Sequence, residues 1–193
     1  MKHRQLILRL LGLALILTAV GILAVQQIQN ILARKANEQL VAMIDGQLPE
    51  KTSGSPADYS DARMPVLQVD GVDYVCLIEV PELGVQLPVR NVWDTKDLSH
   101  GPCRYWGSIY DGSFILGGSY LEGQFDFCSR LDLGQRIVIR DMLGAEFRCS
   151  VSRIDRSSSV EFEEFSHEEY PLTLFVREKY ESRYILVRCQ WDY

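Results

Sequence analysis

The chain has 193 residues, of which 47% are hydrophobic and 24% charged, with 14 Gly, 7 Pro and 5 Cys. This is the composition of about one globular domain and excludes a disordered or collagen-like chain; five cysteines are too few for a disulfide-built scaffold. The net charge of −6 argues against a nucleic-acid-coating surface. Lys2, Arg4 and Arg9 all lie at the N-terminus, so the remainder holds 17 basic against 26 acidic residues.

Leu6 to Val25 is a run of twenty residues with one charge, Arg9, near its leading edge. At about 1.5 Å per residue a helix of that length covers the roughly 30 Å hydrocarbon core of a bilayer. The basic residues on its N-terminal side predict a cytoplasmic N-terminus, with Arg9 snorkelling to the headgroups. A cleavable signal peptide shares this outline, but Gln26-Gln27-Ile28-Gln29-Asn30 offers no small-x-small cleavage site, so an uncleaved anchor is the reading. Residues 1–25 are thus a cytoplasmic tail and transmembrane anchor, and everything beyond should be extracytoplasmic.

From Gln26 to Gln47 the apolar residues Ile28, Ile31, Leu32, Leu40, Val41 and Ile44 have helical spacing and read as a stalk. Leu48 to Pro65 gathers Pro, Ser, Gly, Asp and Lys without apolar periodicity, the composition of a linker. Stalk and linker therefore occupy residues 26–65, and a folded domain occupies 66–193.

In that domain short runs rich in Val, Ile, Phe and Tyr recur at roughly ten-residue spacing between turn residues. Strands are predicted at Val72 to Val80, Val85 to Val89, Ser113 to Gly117, Gln135 to Asp141, Glu146 to Ile154, Leu172 to Val176 and Tyr184 to Trp191. Asp141-Met142-Leu143-Gly144 has the composition of a hairpin turn. The expected fold class is mainly β, a closed or nearly closed barrel of seven or eight strands, which leaves few exposed sheet edges.

Several segments, in order, resemble sortases, the membrane-anchored cysteine transpeptidases of Gram-positive bacteria. Tyr74-Val75-Cys76-Leu77-Ile78-Glu79-Val80-Pro81-Glu82-Leu83-Gly84-Val85-Gln86-Leu87-Pro88-Val89 is similar to their opening I-x-I-P-x-L-G-x-x-L-P-V strand pair. Pro102 to Ser108 resembles a segment of one subgroup. Phe114-Ile115-Leu116-Gly117-Gly118 stands where the family has a strand ending in Ala-Gly-His. Arg130-Leu131-Asp132-Leu133-Gly134-Gln135 is similar to the R-L-x-x-L-x-x-G connector, one residue shorter. Leu172-Thr173-Leu174-Phe175 resembles the strand that enters the nucleophile, and Arg183 to Cys189 the last strand.

The resemblance implies thiolate attack on a sorting-signal peptide, a histidine acid for the leaving amine and an arginine near the oxyanion. At the histidine position stands Ser119, and at the cysteine position Arg177, with Val176 in place of the preceding threonine. A hydroxyl does not titrate near neutral pH and a guanidinium is no nucleophile. Arg183 alone matches. His3, His100 and His167 cannot be moved onto position 119, and Cys189 lies twelve residues beyond position 177.

Other residues carry alternatives. Cys128 paired with His100 or His167 is a candidate relocated catalytic pair. His100 and Cys103 have a spacing open to two metal ligands, but no further ligands are evident; neither a metal nor a cofactor is expected. Glu161 to Tyr170 interleaves five acids with aromatics and reads as a solvated amphipathic turn or short helix, with Ca²⁺ or basic-peptide binding as the alternative. Among Cys76, Cys103, Cys128, Cys149 and Cys189 the odd number leaves at least one thiol unpaired, and Cys76 and Cys189 are a candidate disulfide. Arg177 either joins Arg183 in lining a groove, with Ser119, Tyr120 and Val176, or points to solvent or towards Glu161 to Glu169.

The sequence thus reads as a single-pass membrane protein with an extracytoplasmic sortase-like barrel, catalytically silent, with a peptide-binding or scaffolding role in cell-surface protein anchoring. Expected partners are the bacterial membrane and a sorting-signal peptide, an active sortase or an envelope protein, with no nucleic acid. The alternative is an active peptidase or transpeptidase using a residue such as Cys128.

Overall fold

The computed structural model describes residues 2–55, 59, 63–94, 98–158, 170–179 and 181–192. The acidic and aromatic stretch up to position 169, including His167, lies outside them. Two compact units are present, Met1–Ala36 and Asn37–Tyr193.

In the first unit, the proline-free apolar run Leu6 to Val25 lies in the N-terminal part of helix α1 (Lys2–Asp45) and supplies twenty of its 44 residues. It is long and apolar enough to cross a membrane by length and composition. The side chains of Leu15, Ile16, Leu17, Val20, Ile22, Leu23 and Val25 are all more than half exposed, whereas a soluble amphipathic helix hides one face. Thr18 satisfies its hydroxyl inside the helix by donating to the Leu15 carbonyl at 2.8 Å.

The second unit is a barrel of eight strands with two short additions. The strands are β1 (Thr52–Ser53), β2 (Leu67–Val69), β3 (Val72–Val80), β4 (Val85–Arg90), β5 (Cys103–Trp106), β6 (Phe114–Gly118), β7 (Arg136–Asp141), β8 (Ala145–Ser157), β9 (Leu172–Arg177) and β10 (Tyr184–Trp191). Pairing runs β8-β10-β9-β6-β5-β4-β3, and β7 closes the ring by pairing both β3 and β8. Closure removes the sheet edges that an open arrangement would expose. The β6–β9 and β4–β5 pairs are parallel; the other pairs of the ring are antiparallel.

All seven predicted strands are present, with β3 and β10 at the predicted bounds. β5 was not anticipated: four residues between Gly101-Pro102 and Gly107 are too few to display an alternation. The Asp141–Gly144 hairpin forms because the Asp141 carboxylate, fully buried, accepts the Leu143 and Ala145 N–H groups, both at 2.8 Å, through Oδ1. Its Oδ2 accepts the Tyr110 hydroxyl at 2.5 Å.

The stretch read as linker is partly structured. Thr52 and Ser53 pair in parallel with Ala145 and Glu146, and Met64 is buried in the main core. Lys51 bridges Glu146 at 2.9 Å and Glu79 at 3.7 Å. The end of α1 belongs to this unit too. Ile44 is fully buried with Val69, Tyr74, Leu77 and Met142, and Asn37 donates to the Gln86 carbonyl at 3.1 Å. Asp45 pairs with the guanidinium of buried Arg140. A polar composition hides these roles because each rests on one or two side chains meeting the barrel rather than on a periodic face.

Inside the ring the main core is built from alternate strand residues, among them Phe114 and Leu116 of β6, Ile137 and Ile139 of β7, Leu172, Leu174 and Val176 of β9, and Ile185 and Val187 of β10. A smaller cluster lies on the opposite, outer face: Ile115, Phe175 and Leu186 beneath Trp93, Tyr105 and Tyr184.

Candidate functional site

The positions singled out in the sequence converge at one end of three neighbouring strands. Gly118, the last residue of β6, is the register partner of Val176 in β9, and Arg177 is the partner of Tyr184 in β10. Ser119, Arg177 and Arg183 therefore each stand within a residue of those strand ends. Adjacent strands lie roughly 4.8 Å apart, so three positions separated by up to 64 residues in sequence share one rim.

Alternation along β9 decides which of its residues face that rim. Leu172, Leu174 and Val176 are fully buried in the barrel core, while Thr173, Phe175 and Arg177 take the outer phase and Arg177 is exposed. Val176 therefore lines no groove, contrary to the sequence reading: it shares a face with Leu174 because side chains two apart on a strand point the same way. Arg177, one position on, takes the solvent-facing phase.

Beyond Ser119 the chain folds back as a cap. The Ser119 carbonyl accepts the Phe125 N–H at 3.1 Å, and the 3₁₀ turn Phe125–Arg130 buries Phe125, Phe127 and Cys128. Gly118 is needed here: a Cβ on it would stand 2.3 Å from Phe125 Cγ. Tyr120, half-buried against the core, donates its hydroxyl to Ser129 Oγ at 3.0 Å. Ser119 itself is half-buried.

The β9–β10 turn is held by its backbone, the Glu178 N–H donating to the Arg183 carbonyl at 2.9 Å. Arg183 is exposed, its Nε 3.1 Å from Glu181 Oε2. Glu178 Oε1 accepts Arg156 Nε at 3.1 Å. Among the described residues the rim presents the exposed guanidinium groups of Arg177 and Arg183, the latter paired with Glu181. Their chemistry is charge-assisted donation to a carboxylate or a carbonyl; it is not nucleophilic.

All five cysteines are buried free thiols. Cys128 is 1% exposed, and burial first, then the charge of Asp126, pushes its thiol far above the ordinary range. A nucleophilic cysteine needs access and a depressed pKa; Cys128 has neither, and His167, one of its candidate partners, lies outside the described residues. The Cys149 thiol is pushed up to about 12, mainly by burial. Cys76 and Cys189 form no disulfide: β7 and β8 stand between β3 and β10 on the shorter way round the ring. Cys103 is fully buried with its thiol directed at the Gly101 carbonyl, 3.8 Å away, whereas His100 is exposed.

The 3₁₀ turn Leu98–His100 lies against β6. One residue near this end was not assigned a site role from sequence: Trp93 packs on Gly117, the residue before Gly118. It carries no local signal, since it reaches β6 from a separate connection.

No protein-family model matches the chain, and no curated protein matches it. Solved structures do. Listeria monocytogenes sortase A superposes with a TM-score of 0.55 at 17% identity, covering 62% of this chain and 88% of that one. Corynebacterium diphtheriae sortase A gives 0.55 at 19%, covering 85% and 84%. The barrel has the sortase fold. Clostridium perfringens sortase C, solved with the C-terminal cell wall sorting motif, gives 0.55 at 18%, covering 81% of this chain and 89% of that chain. At these identities the likeness concerns the fold, and function has to be argued from the rim.

Proposed function

We propose that this sortase-fold protein is a membrane-anchored, catalytically silent relative of the sortases that holds a peptide at the β6–β9–β10 rim, in the service of cell-surface protein anchoring. The observation that carries the reading is chemical. Ser119 and Arg177 stand beyond paired strand residues, Gly118 and Val176, where the resemblance expects an acid and a nucleophile, and every cysteine is buried. The rim carries donors, Arg177 and Arg183, suited to a peptide carbonyl or a sorting-signal carboxylate. The apolar segment of α1 supports anchoring, and Lys2, Arg4 and Arg9 on its N-terminal side support a cytoplasmic N-terminus with the barrel outside.

The test is single-turnover incubation of the full chain, in detergent micelles, with a panel of LPxTG-like sorting peptides. Binding is read by fluorescence anisotropy and cleavage by mass spectrometry. The expected result is binding without cleavage, and a gain of cleavage in the double variant Ser119→His with Arg177→Cys. Cleavage by the natural chain would overturn the silent assignment; absence of binding across the panel would overturn the peptide-holding role.

A further inference from the structure

On the outer face of the barrel, Arg140 of β7 is flanked in register by Leu77 of β3 and Glu146 of β8. It takes the phase opposite to the core residues Ile137 and Ile139, yet its side chain is only 3% exposed. The end of α1 lies over this face. Ile44 is fully buried against Val69, Tyr74, Leu77 and Met142, and Val41, one turn earlier, is buried too. Asp45 pairs with the Arg140 guanidinium. One turn and more upstream, Asn37 donates to the Gln86 carbonyl of β4 at 3.1 Å.

The charges across this contact alternate in sign. The segment that follows the helix supplies Lys51, which bridges Glu146 at 2.9 Å and Glu79 at 3.7 Å. Glu79 in turn lies 4.0 Å from Arg140 Nε and accepts Gln86 Nε2 at 2.9 Å. Asp45 and Lys51 are 49% and 51% exposed, whereas Arg140, Glu79 and Glu146 on the barrel are mostly covered. Past Lys51 the Thr52 N–H donates to the Gly144 carbonyl at 3.0 Å and the Gly54 N–H to the Glu146 carbonyl at 2.9 Å. Gly54 has no room for a side chain: a Cβ there would stand 2.8 Å from Cζ of the fully buried Phe147 ring.

Opening this contact differs from opening the barrel in what it leaves behind. Asp45 and Lys51 are already half in water, and Arg140, Glu79 and Glu146 would be hydrated once the segment lifts, so no charge is left buried without a partner. The loss is confined to the apolar contacts of the α1 end and a few backbone bonds, while the β3–β10 ring keeps its ladder and its core. Interfaces of this mixed, polar kind open locally at lower cost than a core does. We infer that residues 37–54 form a detachable clasp: closed, it seats the barrel on the last turns of α1, and open, it leaves the barrel folded on a flexible tether. The two cross-pairs, Asp45 with Arg140 and Lys51 with Glu146, set its register and hold it shut.

Hydrogen exchange of the full chain in detergent micelles, read by mass spectrometry, tests the clasp without any ligand. Fragments covering residues 46–54 carry the Thr52 and Gly54 amides that bond to the barrel, and fragments of β10 report the barrel itself. In the natural chain the clasp amides should exchange at least 10-fold faster than those of β10. Asp45→Asn and Lys51→Met should each speed them by about 5- to 10-fold with β10 unchanged, and 0.5 M NaCl should speed the natural chain more than the double variant. Gly54→Ala, which alters no charge, should also speed them. Clasp amides that exchange in step with β10 would make residues 37–54 a fixed part of the barrel and overturn the clasp, as would equal rates in all variants. Should Asp45→Asn also loosen β10, Lys51→Met and Gly54→Ala decide in the same way.

Discussion

Tyr110→Phe isolates one buried polar contact, because the substitution removes a single oxygen and keeps the ring. Tyr110 is 3% exposed, stacks on Tyr59 (4.7 Å, 17°) and donates its hydroxyl to Asp141 Oδ2 at 2.5 Å. Asp141 is fully buried and its other oxygen is already committed to the Leu143 and Ala145 N–H groups. Without the phenol, a desolvated carboxylate oxygen loses its donor. Hydrogen bonds to buried charged groups are worth about 1.5–3 kcal/mol, and at about 2–4 °C per kcal/mol for a unit of this size the melting temperature should fall by about 3–12 °C. Urea titration followed by tryptophan fluorescence measures the loss. The cycle with Asp141→Asn should return a coupling of about 1 kcal/mol or more. A loss under about 0.5 kcal/mol, or additive single and double variants, would refute the reasoning. Burial, and then Asp141, raise the Tyr110 pKa. Its contribution is therefore present below the unfolded value near 10 and lost as pH rises, so the Phe variant should show a smaller decline above about pH 10.

Ellman's reagent should count close to zero thiols in the native chain and five in denaturant, because burial holds the Cys128 and Cys149 thiols protonated as well as hidden; one fast native thiol would reopen a cysteine-based chemistry. Gly118→Ala puts a methyl against the Phe125 ring and should cost about 1–3 kcal/mol in chemical denaturation, whereas an unchanged midpoint would mean the cap yields freely. The Glu146 carboxyl is penalised by burial, but Lys51 and Arg148 outweigh this and hold it below the usual range, while Lys51 is raised chiefly by its bond to Glu146. The carboxylate's contribution is present above about pH 4.3 and lost as pH falls through its lower folded value; that of Lys51 is present below about pH 10.4 and lost as pH rises through its higher one. Lys51→Met should accordingly flatten both flanks of the stability profile, and an unaltered profile would show the pair to be inert.

Where an element depends on its own residues, the sequence sufficed. The Val-, Ile-, Phe- and Tyr-rich runs Leu172 to Val176 and Tyr184 to Trp191, the apolar run from Leu6 to Val25, and the order of the segments around them led to strands, a membrane-length helix and a sortase-like barrel. Ser119 and Arg177 were singled out for the same reason, as matters of residue identity. Other features needed partners brought together from afar. Val176 belongs to the core because the barrel closes on that side of β9, and Cys128 is buried because its turn packs into the same core with Phe125 and Phe127. Trp93 meets Gly117 twenty-four positions away, and Tyr110 meets Asp141 thirty-one away. Local patterning decides backbone conformation and the choice of faces, while burial, pKa and ring contacts are set by what closure of the β3–β10 ring packs against each side chain.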